Sequence, residues 1–173
     1  MIGAVAPAKE STIADIGGGA SLLVDRLLDQ GYSDVIVADI SEAALEVARE
    51  RLGDRGNGVS WLAADARCLR LPEQVDVWHD RAVFHFLTEE ADRQAYLNSI
   101  RSALRVGGHI VIATFGLGGP DRCSGLQVER YDAIKFSEFF GSEFELVRTF
   151  QRQHLTPAGA TQEFTYAVFR RVR

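Results

Sequence analysis

Cysteines are few, long apolar runs are missing and no basic block occurs. These absences narrow the reading of the chain first. The only two cysteines, Cys68 and Cys123, lie far apart and form neither a CxxC nor a zinc-type spacing. No disulfide framework and no metal site is expected, and a reducing compartment is the simplest setting. No apolar run approaches membrane-spanning length. The opening MIGAVAPAKE has no charged n-region and no long apolar h-region, so it does not read as a signal peptide. No basic cluster interleaved with aromatics marks a nucleic-acid footprint. The net charge of −5, with both signs mixed along the chain, serves solubility. The expectation is a cytoplasmic protein with no membrane or nucleic-acid partner.

What is present is a chain of 173 residues, 46% hydrophobic, enough for one well-filled core. We expect a single domain over residues 1–173 with a short N-terminal segment. Strand-like and helix-like patterns alternate. TIADI (12–16), DVIVADI (34–40), VSWLAAD (59–65), VDVWHD (75–80) and HIVIATF (109–115) read as buried strands. Between them ASLLVDRLLDQG (20–31) reads as a helix with Leu22, Leu23, Leu27 and Leu28 toward the core. EAALEVARERLG (42–53) reads as a helix capped by Ser41. The segment 89–105 reads as a helix capped by Thr88 and stopped by the following VGG. A long stretch rich in glycine and charge, residues 116–132, precedes a helix over 133–141. Two alternating strands, 144–155 and 161–171, are separated by TPAGA, which suits an antiparallel hairpin. Alternating β and α elements predict a parallel sheet with helices on both faces, with ligands at the carboxyl ends of the strands.

The distinctive residues fall at those ends: Asp15, Asp39, Asp65, and His79 with Asp80. Three glycines, Gly17, Gly18 and Gly19, follow the first strand. A dinucleotide fingerprint requires a third glycine where Leu22 stands, and a P-loop requires a GK[ST] that is missing. Asp39 stands where a carboxylate grips a ribose diol in doubly wound folds. Asp65 suits the exocyclic amine of an adenine or an ordinary turn. Asp15, just before the glycines, suits a cationic ligand and would repel a pyrophosphate.

Together, Asp15-Ile-Gly17-Gly18-Gly19-Ala20-Ser21, Asp39, Asp65, VDVWHDRAVFHFLT and LRVGGHIVIATF resemble the class I S-adenosylmethionine-dependent methyltransferases. The resemblance implies an α/β, doubly wound, mostly parallel seven-stranded Rossmann-like sheet with an antiparallel last strand. It implies S-adenosyl-L-methionine as cofactor and S-adenosyl-L-homocysteine as product. It places Asp15, Gly17, Gly18, Gly19, Asp39, Ile40, Asp65, Ala66, His79 and Arg81 around that cofactor, with the glycines admitting its amino-acid part. The acceptor, a small molecule or a protein side chain, and the oligomeric state are left open. A non-catalytic cofactor-binding module is the alternative.

For chemistry, His79, Asp80 and His85 are the candidate bases, each with a packing role as the alternative. Arg81 suits a carboxylate, of cofactor or acceptor, or an ion pair with Asp76 or Asp80. Arg122, Cys123, Arg130 and Tyr131 of the long loop, with His154, are the candidate acceptor-pocket residues. His109 reads as structural. About ten residues precede the first strand, and Pro7 disfavours a long helix there. A partly open cofactor cleft is therefore expected, covered by the acceptor, another subunit or a missing N-terminal segment. The alternative lid is the loop 116–131.

Overall fold

The computed structural model describes residues 1–156, 159 and 161–173. The predicted hairpin turn 156–160 therefore lies partly outside the described residues. In chain order the elements are α1 (Ile2–Val5), β1 (Ile13–Ile16), α2 (Leu23–Asp29), β2 (Val35–Asp39), α3 (Glu42–Leu52), β3 (Val59–Ala63) and β4 (Val75–Arg81). They continue with α4 (Glu90–Ala103), β5 (Leu104–Phe115), β6 (Arg122–Cys123), β7 (Leu126–Gln127), α5 (Ala133–Phe140), β8 (Phe144–Leu155) and β9 (Thr161–Arg171). Seven strands form one sheet in the order β3-β2-β1-β4-β5-β9-β8, and β6 with β7 form a separate small ribbon. The first five strands pair in parallel, and β9 runs antiparallel to both of its neighbours. This is the expected doubly wound sheet. Its order reverses between β1 and β4, which opens a crevice at their carboxyl ends.

The two-residue period of the strands sorts their side chains onto two faces. Ile13, Val35, Val37, Val77 and Val111 pack with Val24 and Leu27 of α2 and Leu45 of α3. Their neighbours Ile16, Ile36, Trp78, Ile110 and Ile112 pack on the other face with Tyr96 and Ile100 of α4 and Phe136 and Phe140 of α5. The central strands are thus apolar on both faces, as a sheet buried between helix layers requires, whereas the edge strand β8 is mostly exposed.

Local details depart from the expectations at several points. The helix expected from residue 20 begins at Leu23, where Ser21 Oγ accepts the Leu23 N–H at 3.0 Å. Residues 20–22 complete the glycine turn, so Leu22 is 54% exposed rather than in the core. Thr88 does not cap α4. The cap is Glu89, with no side-chain hydrogen bond, because Arg93 fixes the preceding backbone by donating to the Leu87 and Thr88 carbonyls at 3.2 and 2.6 Å. The VGG segment does not stop the helix either. Residues 104–108 already belong to β5, as an irregularity in the β4 pairing where Gly107 takes φ +87°. Only Gly accepts such a backbone freely. Ser41 caps α3 as expected, its Oγ accepting the Ala44 N–H at 3.2 Å.

Candidate active site

The site begins with the turn after β1. Gly17 and Gly19 take φ of +68° and +37°, and space is as limiting as conformation. A Cβ on Gly17 would lie 2.0 Å from Val83 Cγ2. On Gly18 it would lie 2.6 Å from Val37 Cγ1, and on Gly19 2.7 Å from Asp39 Oδ2. The turn is therefore pressed between the ends of β2 and β4. Asp39 stands at the end of β2 directly beside it, with Oδ1 accepting the Ser41 N–H at 2.8 Å.

A cavity of about 680 Å³ opens over the ends of β1, β4, β5 and β9. Residues paired across adjacent strands share a face. Asp15 pairs with His79, Arg81 with Ala113, Ala113 with Tyr166, Phe115 with Phe164, and Gln162 with His154. All of these fall on the α2 face and, except for the buried Ala113, all border the cavity. Asp80 points to the opposite face. That one-residue offset in β4 separates a cavity residue from a sealed one.

Asp15 is bound to His79: its Oδ1 lies 2.7 Å from His79 Nδ1. The carboxylate fixes the tautomer by accepting Nδ1–H. His79 Nε2 has no partner among the described residues and is not sealed from solvent. Arg81 forms no ion pair with Asp76 or Asp80, contrary to one of its expected alternatives. Asp76 is held by Arg105 at 2.7 Å, and the Arg81 guanidinium carbon stands 5.6 Å from the Phe164 ring centroid.

The other candidates divide. Asp80 is fully buried and outside the cavity. It accepts from the Val83 and Phe84 N–H groups at 3.0 and 3.1 Å and from Tyr96 Oη at 2.5 Å. Burial raises its pKa to about 6 against the pull of those donors. His85 is also fully buried, between Phe86 and Phe115, with neither ring nitrogen hydrogen-bonded, and burial lowers its pKa to about 4. The structure therefore takes Asp80 and His85 out of the set that can touch a ligand in this cavity.

Cys123 and His154 line the cavity; Arg122, Arg130 and Tyr131 do not. Arg122 donates to the Gly125 carbonyl and Arg130 to those of Leu117 and Gly119, so both staple the loop. Tyr131 packs against Phe84 and Phe136 in the core. Asp65 lies two residues beyond β3, where the guanidinium of Arg67 holds its carboxyl below the usual range. Ile40 is 74% exposed beside Asp39, and Ala66 is half-buried beside Asp65. His109 takes its place in the β5 ladder as expected.

Sequence reading missed several contributors, among them the aromatic residues Phe115, Phe164 and Tyr166. Arg26 of α2 and Gln162 of β9 line the cavity. Ala82, at φ +67°, kinks the chain after β4 and sets Val83 over Gly17. Strand parity alone points to Gln162, two positions before Phe164. Nothing in the residue types flags Ala82.

A model of the methyltransferase domain matches residues 13–108, more than half of the chain. The ubiquinone/menaquinone biosynthesis C-methyltransferase UbiE of Coxiella burnetii is 34% identical over 110 residues, 60% of this chain and 42% of the relative. The chain thus spans less than half the length of that curated relative. Among solved structures, the N-methyltransferase NodS of Bradyrhizobium japonicum in complex with S-adenosyl-L-homocysteine superposes with a TM-score of 0.74 at 20% identity, over 94% of this chain and 79% of that one. The 1,6-didemethyltoxoflavin-N1-methyltransferase of Burkholderia thailandensis, with 1,6-didemethyltoxoflavin and S-adenosylhomocysteine bound, gives 0.72 at 20% identity over 98% and 79%.

Proposed function

The chain belongs to the class I S-adenosylmethionine-dependent methyltransferase family, and from that premise we propose that it transfers a methyl group from S-adenosylmethionine to a small-molecule acceptor. The observation that carries the reading is the contact between the glycine turn and Asp39: one carboxylate oxygen is anchored on Ser41, and the other stands against Gly19. A fixed acceptor-only group beside a side-chain-free turn suits a ribose diol next to an amino-acid moiety. Asp65, Ile40 and Ala66 border the adenine end in this reading. The cavity has the size of a small-molecule site.

The cofactor supplies a methyl carbon already activated by sulfonium. The protein holds donor and acceptor in line, and proximity is worth at most about 7–11 kcal/mol. His79 is the base that removes the acceptor proton at Nε2, with Asp15 holding the imidazole by Nδ1. Asp15 thus acts on the site through His79 as well as toward the cofactor cation expected from sequence. Both cysteines are free, and no helix among the described residues is long and apolar enough to cross a membrane.

Calorimetric titration with S-adenosylhomocysteine and with NAD tests the reading. S-adenosylhomocysteine should bind and NAD should not. Leu22, exposed where a nicotinamide site needs its third glycine, is the reason for the second expectation. Binding of NAD in preference to S-adenosylhomocysteine overturns the assignment.

A further inference from the structure

We infer that the acceptor is a planar, aromatic carboxylic acid whose carboxylate is held by Arg81. The inference rests on the methyltransferase reading above and names the substrate class of the same cavity. Arg81 ends β4, and its guanidinium lies over the Phe164 ring. A guanidinium held over an aromatic face by cation–π attraction keeps its N–H edge available to a bidentate partner. Among the described residues nothing takes that edge. Asp76 is held by Arg105, Asp80 by the turn after β4 and by Tyr96, and Glu163 accepts the Gly118 N–H at 3.2 Å. By contrast Arg49, Arg51, Arg55, Arg67, Arg101 and Arg105 all sit in ion pairs.

The cavity differs in sign from the molecule. The chain carries a net charge of −5. Yet among the described residues the only carboxylate lining the cavity is Asp15, already engaged by His79, whereas Arg26 and Arg81 line it without ion-pair partners. A cleft of one sign with apolar walls concentrates ligands of the other sign. The walls are Phe115, Phe164 and Tyr166, with Phe115 and Phe164 meeting edge to face at 4.9 Å. Flat aromatic walls beside an open guanidinium edge match a ring bearing a carboxylate.

S-adenosylmethionine also carries a carboxylate, so position must separate the two. Arg81 reaches over β5 to Phe164 on β9, away from β1 and the glycine turn. Two strand spacings are about 10 Å. Arg26, in the helix directly after the turn, is the cation on the cofactor side. Arg81 therefore faces the acceptor.

The test uses benzoate as the probe and benzamide as its neutral counterpart. Each is titrated into the chain with and without saturating S-adenosylhomocysteine and followed by NMR shift changes. Benzoate should bind about tenfold more tightly than benzamide, the lower end expected for a charge-assisted pair at a partly exposed site. R81M should abolish that preference while leaving S-adenosylhomocysteine affinity unchanged, and R26M should keep it. Equal binding of the two probes to the wild type overturns the inference. So does a preference that survives R81M or is lost in R26M, and so does an R81M protein that loses S-adenosylhomocysteine instead. If the wild type binds no S-adenosylhomocysteine, the methyltransferase reading fails by itself. The comparison made without it still decides whether Arg81 is a carboxylate subsite.

Discussion

Asp39 answers to two neighbours at once. Its Oδ1 closes the turn into α3 by accepting the Ser41 N–H, and its Oδ2 stands so near Gly19 that a single added methyl group there would meet it at 2.7 Å. The carboxylate is therefore oriented before any ligand arrives, which lowers the ordering cost of binding. A charged hydrogen-bond partner is worth about 1.5–3 kcal/mol. Asp39→Ala should weaken S-adenosylhomocysteine binding about ten- to a hundredfold. The lost Ser41 contact is exposed and leaves the fold standing. Calorimetry on a variant with unaltered circular dichroism checks this, and an unchanged dissociation constant removes Asp39 from the site.

At the scale of elements, the glycine turn and the kink after β4 form one interlocked unit. Ala82 at φ +67° and Gly17 at φ +68° bring Val83 Cγ2 to 2.0 Å from where a Gly17 Cβ would sit. Gly17→Ala adds overpacking of about 1–3 kcal/mol to a left-handed backbone penalty of about 1–2 kcal/mol. Val83→Ala removes the clashing methyl but not the backbone term. The double variant should therefore be more stable than the sum of the single changes predicts, by about 1–3 kcal/mol in urea unfolding. Strict additivity would mean that the two segments do not press on each other. This contact also marks where sequence reading stopped. The glycine turn, Asp39 and the Ser41 cap were legible because each is written within a few neighbouring residues. The bond between Asp15 and His79 joins residues 64 apart, and it follows only once β1 is known to lie beside β4 in that register. The same holds for Arg81 over Phe164, which needs β9 inserted next to β5. Asp80 and His85 read as bases because their residue types allow it. Parity along β4 turns Asp80 to the α4 face, and the turn that follows seals His85 inside.

Across the whole molecule, those two sealed groups give stability an unusual response to acid. His85 titrates near its ordinary 6.5 when unfolded and at about 4 when folded, because burial disfavours the charged ring. Its neutral form is favoured in the fold, so the stabilisation is complete above the unfolded value and is lost as pH falls toward the folded one. Asp80 acts in the opposite sense. Burial raises it from 3.8 to about 6, so the folded state takes up that proton first and gains stability as pH falls below about 6. The two contributions oppose each other across the same window. Replacing His85 with Leu removes one of them and also removes two buried ring nitrogens that have no hydrogen-bond partner. Between about pH 7.5 and about pH 5, the stability of His85→Leu relative to wild type should therefore rise by about 2 kcal/mol. Urea unfolding of both proteins at the two pH values measures this difference directly, and other titrating groups largely cancel from it. A gap that does not change with pH would mean that His85 is protonated as readily inside the fold as outside it. The sealed aromatic pocket formed by Phe86 and Phe115 would then have to admit water or a counter-charge.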